Sequence, residues 1–346
     1  MTKMYKSDFT ISDSYHKIKT IEMHTGGEPV RIILEGFPSL SGSILEIRNR
    51  LIKDYDHLRK SIMWEPRGHA DMYGLLVVPP ERADSDFGVI FMHNEGYSTM
   101  CGHATLAIIN CAAQLKWIEL NEPETVIKID APCGQLTSHI SSENNKIKSI
   151  SFENVPSFVV ELDAIVKHPE LGDIIYDLAY GGAFYGYVDV KQLGIDINKS
   201  NYQKFIELGR KLKRAIIDSN DKINHPFEKD LSFLYGIIFT QSVPEDNIHS
   251  KNVCVFADGE VDRCATGSGI SGRAAIHYAK NELDLNEEII IESIIGSTLS
   301  VKVISTCEYG TLDAIIPEVS GTSHFIGSSE FWLSEADEIG KGFLIR

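Results

Sequence analysis

The feature that most limits what this chain can become is a repeated junction. Met100-Cys101-Gly102-His103-Ala104-Thr105-Leu106-Ala107 can be laid over Ala265-Thr266-Gly267-Ser268-Gly269-Ile270-Ser271-Gly272, and each stretch follows a strand and a polar loop and leads into an apolar helical pattern. Helices are expected over 104–118 and 270–283, since a Gly-containing segment directly before an apolar periodic run is a helix start signal. A helix apolar on most of its faces must be enclosed by protein. The pair therefore predicts two similar halves, each wrapped around one buried helix. The competing explanation is that any strand-loop-helix junction attracts glycine and a small polar residue.

Around these helices the sequence is rich in short β-type runs, at 18–23, 73–78, 89–92, 125–129, 148–152, 252–256 and 299–304. A chain of 346 residues exceeds what one hydrophobic core normally holds. Turn-rich Ser141-Ser142-Glu143-Asn144-Asn145 supplies a boundary, and 199–230 reads as one helix plus a turn at Asn224-His225-Pro226. The expected division is a polar extension 1–17, an N-terminal α/β half 18–145 completed by 320–346, and a C-terminal α/β half 146–319.

Composition narrows the partners. Lys and Arg total 33 against 49 Asp and Glu, a formal charge of −16, with no basic run to neutralise a phosphate backbone, which argues against nucleic acid. The polar start lacks the apolar stretch of a secretory signal, and no segment reaches the roughly 20 apolar residues of a membrane helix. A cytoplasmic protein without a membrane partner is expected. Cys101, Cys111, Cys133, Cys254, Cys264 and Cys307 are scattered, with no Cys-x-x-Cys pair and no zinc-type spacing. Free thiols and no metal site follow.

Cys101 is the first chemical candidate because it stands where a helix begins, and a helix N-terminus lowers a thiol pKa. Its alternative is a buried structural cysteine, the reading given to Cys111 and Cys254 inside apolar segments. The second junction, Asp262-Arg263-Cys264-Ala265-Thr266-Gly267-Ser268-Gly269, would bring further backbone N–H groups and a hydroxyl. If the halves face each other, two positive helix ends share one cleft, suited to a carboxylate and to the charge that develops when its α-carbon is deprotonated. Asp262 then has a substrate ammonium to bind, or else simply caps nearby backbone N–H groups.

Several long segments carry a family resemblance: His24-Thr25-Gly26-Gly27-Glu28-Pro29, Glu65-Pro66-Arg67-Gly68-His69-Ala70-Asp71-Met72-Tyr73-Gly74, 93–103, Tyr180-Gly181-Gly182-Ala183-Phe184-Tyr185 and 262–269. In this order they resemble the proline racemase family from about residue 18 to the C-terminus. The resemblance implies a mixed α/β (α+β) fold of the diaminopimelate epimerase kind, two pseudo-symmetric halves each with a β-barrel-like sheet around a central helix, the site lying between them. It implies a cofactor-independent enzyme acting on a small imino acid, as a homodimer or a monomer. Cys101 would be the general base, Gly102, His103, Gly267 and Ser268 would hold the substrate carboxylate, and Asp262 the ring nitrogen. His24 would lie near the cleft, and His277 would be a packing or surface residue.

Racemases and epimerases of the family need a second cysteine, because inversion requires a base on one face and an acid on the other. Here the matching position is Thr266, and a hydroxyl is too weak to exchange the proton. The chain then resembles the branch that dehydrates trans-3-hydroxy-L-proline to Δ1-pyrroline-2-carboxylate, a hydro-lyase, as do the surroundings of Leu234-Tyr235-Gly236. Thr266 would orient the leaving hydroxyl or a water. Cys264, two residues off register where the family has serine, is expected to fill the loop; were it to face the substrate, racemisation or 4-hydroxyproline epimerisation would return. Two further readings stand: a non-catalytic imino-acid binding protein, and a dinucleotide enzyme, since Gly267-Ser268-Gly269-Ile270-Ser271-Gly272 spells G-x-G-x-x-G with Glu287 about 20 residues on. The spacer 258–266 between strand and first glycine argues against the last.

Overall fold

The structure, a computed structural model, describes residues 11–243 and 247–345, so the first ten residues of the polar N-terminal extension lie outside it. All the predicted β runs are strands, for example Tyr73–Val78, Phe87–His93, Ser250–Phe256 and Thr298–Tyr309. Among the described residues five α-helices accompany 17 strands: α1 (Ile44–Asp54), α2 (Asp56–Met63), α3 (Gly102–Gln114), α4 (Tyr202–Ser219) and α5 (Gly267–Ala279). The two predicted central helices are α3 and α5, and both begin and end earlier than their apolar patterns suggest. Left-handed residues beyond their last turns, Lys116 (φ 59°) and Asn281 (φ 56°), stop the helical hydrogen bonding that apolarity alone would have let run on.

The strands form one hydrogen-bonded network folded around these two helices. Strands His16–Thr25, Glu28–Glu35, Lys146–Glu153 and Ser323–Leu333 pack on α3, while Ser157–His168, Gly172–Tyr180, Phe184–Asp189, Thr298–Tyr309 and Leu312–Ser320 pack on α5. Both helices are therefore enclosed, as the absence of a polar face in either requires: Gly102 to Ile109 and Gly267 to Ile276 are buried without interruption. This is the two-halved α/β architecture that the sequence implies. Near the termini, His16–Thr25 runs antiparallel between Glu28–Glu35 and Ser323–Leu333. The turn-rich stretch at 141–145 forms a hairpin through Asn144 and Asn145 that joins two paired strands, Gly134–Glu143 and Lys146–Glu153.

One continuous apolar cluster reaches through both halves, and a smaller one lies beneath α1 and α2. α1 starts on a capping box in which the Ser43 hydroxyl accepts the Glu46 N–H and the Glu46 carboxylate accepts the Ser43 N–H. α4 buries Phe205, Leu208, Leu212 and Ile216, one stripe at helical spacing. No helix among the described residues is long and apolar enough to cross a membrane.

What joins the halves is a contact between helix ends. A Cβ placed on Gly102 would stand 2.5 Å from the Gly267 Cα, and one on Gly267 would stand 2.7 Å from the Gly102 Cα. Backbone meets backbone here, so only glycine fits at either position. Polar links flank the contact: the Arg263 guanidinium pairs with Asp71 at 2.8 Å, the Arg263 N–H donates to Glu28 at 2.7 Å, and the Thr25 hydroxyl donates to the His103 carbonyl at 2.8 Å. Glu28 and Asp71, both in family-like motifs, thus act as clamps across the seam. Replacing Gly102 with alanine forces the two helix ends apart, and we expect a loss of about 1–3 kcal/mol in chemical denaturation, the usual cost of overpacking; an unchanged midpoint would show that the seam has slack.

Candidate active site

Between the halves lies an enclosed cavity of about 20 Å³ lined by Tyr73, Met100, Cys101, Gly102, His103, Tyr185, Tyr235, Phe256, Asp262, Thr266, Gly267 and Ser268. Every site residue expected from the sequence lines it. Larger surface grooves exist, such as the one beside Ser157 and Thr306, but they carry no such grouping of acid, thiol and helix ends. The G-x-G-x-x-G run does not form the strand-to-helix turn of a dinucleotide site, because residues 262–266 separate it from the preceding strand Glu260–Val261. The G-x-G-x-x-G glycines have a packing role instead, since they lie inside α5, where a Cβ on Gly269 would meet Ile238 at 2.2 Å and one on Gly272 the Tyr187 hydroxyl at 2.3 Å.

Cys101 is the N-cap of α3, with extended backbone (φ −148°, ψ 107°), and its sulfur accepts the Ala104 N–H at 3.4 Å as a capping oxygen would. His103 Nδ1 stands 3.2 Å from the same sulfur. Burial depresses this imidazole to about 4, so it is neutral, and its hydrogen bond to the Pro29 carbonyl spends its single N–H. The ring's remaining lone pair can accept from the thiol. The N–H groups of Gly102 and His103 open α3, as those of Gly267 and Ser268 open α5, and the first turn of a helix has no carbonyls of its own for them.

The thiol itself departs from the sequence expectation. A helix N-terminus should lower its pKa, and the Ala104 N–H does act in that direction, but full burial dominates and pushes Cys101 well above the ordinary thiol value. The nearby carboxylates of Asp262 and Glu28 push the same way. A dipole of partial charges does not offset the loss of water around a buried thiolate.

On the other side of the cavity, Thr266 is the N-cap of α5, in a backbone conformation (φ 64°, ψ 92°) that β-branched residues rarely adopt. Its hydroxyl donates to Asp262 Oδ2 at 2.8 Å, and Asp262 Oδ1 accepts the Cys264 N–H at 2.8 Å. Asp262 is thus fixed by its own loop, with its carboxylate at the cavity wall. Cys264 is buried but does not line the cavity; its sulfur accepts the Thr266 N–H at 3.3 Å. His24 also lies off the cavity, its ring 5.3 Å from that of His324, and His277 pairs with Glu282 at 2.7 Å near the surface. Donor atoms of His103, Asp262 and Cys264 lie within 4.8 Å of one another, the one such cluster among the described residues. Sequence spacing misses it because its members come from both halves.

Sequence reasoning also misses the aromatic wall. Tyr73 packs edge-on against His103 with ring centres 4.7 Å apart, and Tyr235 stacks on Phe256 at 5.3 Å. The Tyr185 hydroxyl hydrogen-bonds that of Ser268 at 2.7 Å. These tyrosines sit in apolar strand patterns, where they read as core; only the Gly that follows each of Tyr73, Tyr185 and Tyr235 hints at a crowded place.

A two-lobed α/β protein with a cysteine thiol and paired helix ends at its seam is the class that this fold and site define. The chain belongs to the proline racemase family, which it matches over residues 20–344. It is 48% identical to a trans-3-hydroxy-L-proline dehydratase of Colwellia psychrerythraea, covering 96% of this chain and 94% of that protein. It is 39% identical to the human trans-3-hydroxy-L-proline dehydratase, over 95% of each, and 38% identical to a 3-hydroxyproline 2-epimerase of Burkholderia multivorans, over 95% and 98%. A crystal structure of a hydroxyproline epimerase from Agrobacterium vitis with bound trans-4-hydroxy-L-proline superposes with a TM-score of 0.89 at 28% identity, covering 95% of this chain and 96% of that one.

Because burial holds the Cys101 thiol above its usual value, the reactive thiolate is gained as pH rises. Alkylation of Cys101 by iodoacetamide should therefore accelerate through a limb lying above the unperturbed thiol pKa of about 8.5. A limb at or below that value would mean that the helix end prevails over burial.

Proposed function

We propose that this protein is a trans-3-hydroxy-L-proline dehydratase. The observation that carries the reading is an asymmetry across the seam: a thiol caps one helix, and an alcohol already donating to Asp262 caps the other. Racemisation or epimerisation needs a usable base or acid on both sides of the α-carbon. Elimination of water needs a base on one side only. The relatives named as dehydratases favour the same reading over that of the 3-hydroxyproline 2-epimerase.

In this mechanism the substrate carboxylate lies between the N–H groups of Gly102 and His103 on α3 and those of Gly267 and Ser268 on α5. Removal of the α-proton by the Cys101 thiolate moves negative charge onto that carboxylate. The two helix ends are already oriented to receive it, so little reorganisation is needed as the charge forms. Asp262 accepts hydrogen bonds from the ring ammonium, and Thr266 holds Asp262 in place. The C3–O bond then breaks, the 3-hydroxyl takes up a proton and leaves as water, and the resulting Δ2-pyrroline-2-carboxylate tautomerises to Δ1-pyrroline-2-carboxylate. Proton removal and charge stabilisation use groups of this chain. The same reading divides the chain into 18–145 completed by 320–346, and 146–319. The pairing of His16–Thr25 with Ser323–Leu333 supports the completion, while the hairpin at 144–145 carries the first sheet on to Glu153.

The test is incubation with trans-3-hydroxy-L-proline, trans-4-hydroxy-L-proline and L-proline, scoring dehydration, epimerisation and racemisation separately. Only the first should react appreciably, and comparable epimerisation of the second would overturn the proposal. Cys101→Ser should lower turnover at least about 1000-fold while leaving ligand binding largely intact. Binding of hydroxyproline by the wild type without any pyrroline product would favour a binding protein instead. Thr266→Cys places a thiol on the second face and should introduce slow α-deuterium exchange into L-proline in D2O.

A further inference from the structure

The departure of water needs a proton donor that the preceding scheme does not supply, and stereochemistry says on which side to look. In trans-3-hydroxy-L-proline the hydroxyl is trans to the carboxylate, so it lies on the same ring face as the α-hydrogen. Whatever takes that hydrogen therefore stands beside the leaving oxygen. The acid must come from the Cys101 side of the cavity, and Thr266, across the ring, is out of place for it.

The groups around the thiol can be sorted by whether they have a proton to give. His103 is neutral, with its N–H turned to Pro29. The hydroxyls of Ser98, Thr266 and Tyr185 are engaged with the Met100 carbonyl, Asp262 and Ser268, at 2.9, 2.8 and 2.7 Å. Tyr73 and Tyr235 are different: both line the cavity, both are buried, and neither hydroxyl makes a well-formed hydrogen bond among the described residues. Each is close enough to Ser98 and to the other to interact, and Tyr73 also to the Cys101 sulfur, so their contacts are loose ones that a ligand oxygen in the small cavity can replace. Tyr73 is the nearer to the base, since it packs on the His103 ring that touches Cys101 and is close enough to the sulfur for each to perturb the other's ionisation. Tyr235 is close enough to Tyr73 for a hydrogen bond between the two hydroxyls.

We propose that Tyr73 is the general acid that protonates the departing 3-hydroxyl, with Tyr235 hydrogen-bonding the Tyr73 oxygen as it loses its proton. The step balances. Cys101 thiolate takes the α-proton and becomes a thiol; the C3–O electron pair leaves with oxygen, which takes the Tyr73 proton and departs as water. The Tyr73 phenolate then recovers a proton from the Cys101 thiol, and both groups return to their starting forms. Burial holds the Tyr73 hydroxyl firmly protonated beforehand, which suits an acid that must not ionise until its partner oxygen is leaving.

This inference rests on the dehydratase reading, and the experiment separates the two. Wild-type protein, Tyr73→Phe and Tyr235→Phe are each given trans-3-hydroxy-L-proline and trans-3-fluoro-L-proline, whose fluoride departs with much less need of a proton. Wild type that releases neither water nor fluoride would refute the dehydratase reading itself. With wild type active, Tyr73→Phe should lose roughly 100-fold or more in kcat on the hydroxy substrate and less than about 10-fold in fluoride release. In D2O it should leave α-deuterium in recovered hydroxy substrate, because the carbanion returns. Equal losses on both substrates, or no loss, would overturn the assignment of Tyr73. Because the Tyr73 hydroxyl makes no well-formed hydrogen bond, its removal should lower the melting temperature little. If Tyr73→Phe nevertheless fails to fold, Tyr235→Phe is judged by the same split: selective loss on the hydroxy substrate supports the pair, and equal or absent loss refutes it.

Discussion

Everything in this site follows from two helix ends that touch with no side chain between them. Gly102 and Gly267 bring the first turns of α3 and α5 to a distance at which any Cβ would collide. Helix ends so close would ordinarily repel, since each carries a partial positive charge. An anion between them turns that cost into binding energy. In the proposed mechanism the contact places the substrate's charged group before any specific side chain is considered, and it fixes what stands to either side. The residue before each helix, Cys101 or Thr266, holds its N-cap position and borders the cavity, and of the two only Cys101 accepts a first-turn N–H.

From nearly symmetric scaffolding comes asymmetric chemistry. The two junctions have similar backbone roles, but one presents sulfur and the other an alcohol tied to Asp262. Burial acts on both sides in opposite senses. It excludes water and strengthens the pull of the helix ends on developing charge, yet it raises the Cys101 thiol, so that the reactive thiolate is the minor form in the free protein. The hydroxyls of Tyr73 and Tyr235, buried beside it, make no well-formed hydrogen bond. These are local costs to stability, and such costs collect at sites where a bound molecule supplies the missing contact.

Much of this was legible in the sequence, for identifiable reasons. The repeat of Met100–Ala107 in Ala265–Gly272 exposed both helix starts because glycine and a small polar residue recur wherever backbone must approach closely. Two all-apolar helical patterns required enclosure, and hence the two-halved fold. The helix ends were less legible, because apolarity continues past Gln114 and Ala279 while the stop is set by left-handed Lys116 and Asn281, neither of them glycine. The thiol's ionisation was misjudged, since sequence places a cysteine at a helix start but does not say how much water reaches it. Tyr73 and Tyr235 were invisible as chemical groups. In an alternating strand a tyrosine reads as core, and only the folded chain reveals that its oxygen stands beside the Cys101 sulfur or next to a tyrosine that does.

The central claim is that a single sulfur meets the α-carbon while the paired helix ends hold the carboxylate. A crystal structure with pyrrole-2-carboxylate, planar at the α-carbon as the carbanion would be, tests it most directly. The account predicts carboxylate oxygens within hydrogen-bond reach of the Gly102, His103, Gly267 and Ser268 N–H groups, with Cys101 Sγ facing one side of the α-carbon and the Thr266 side chain the other. A ligand turned so that its carboxylate avoids both helix ends, or one with Cys264 Sγ against the α-carbon, would contradict it.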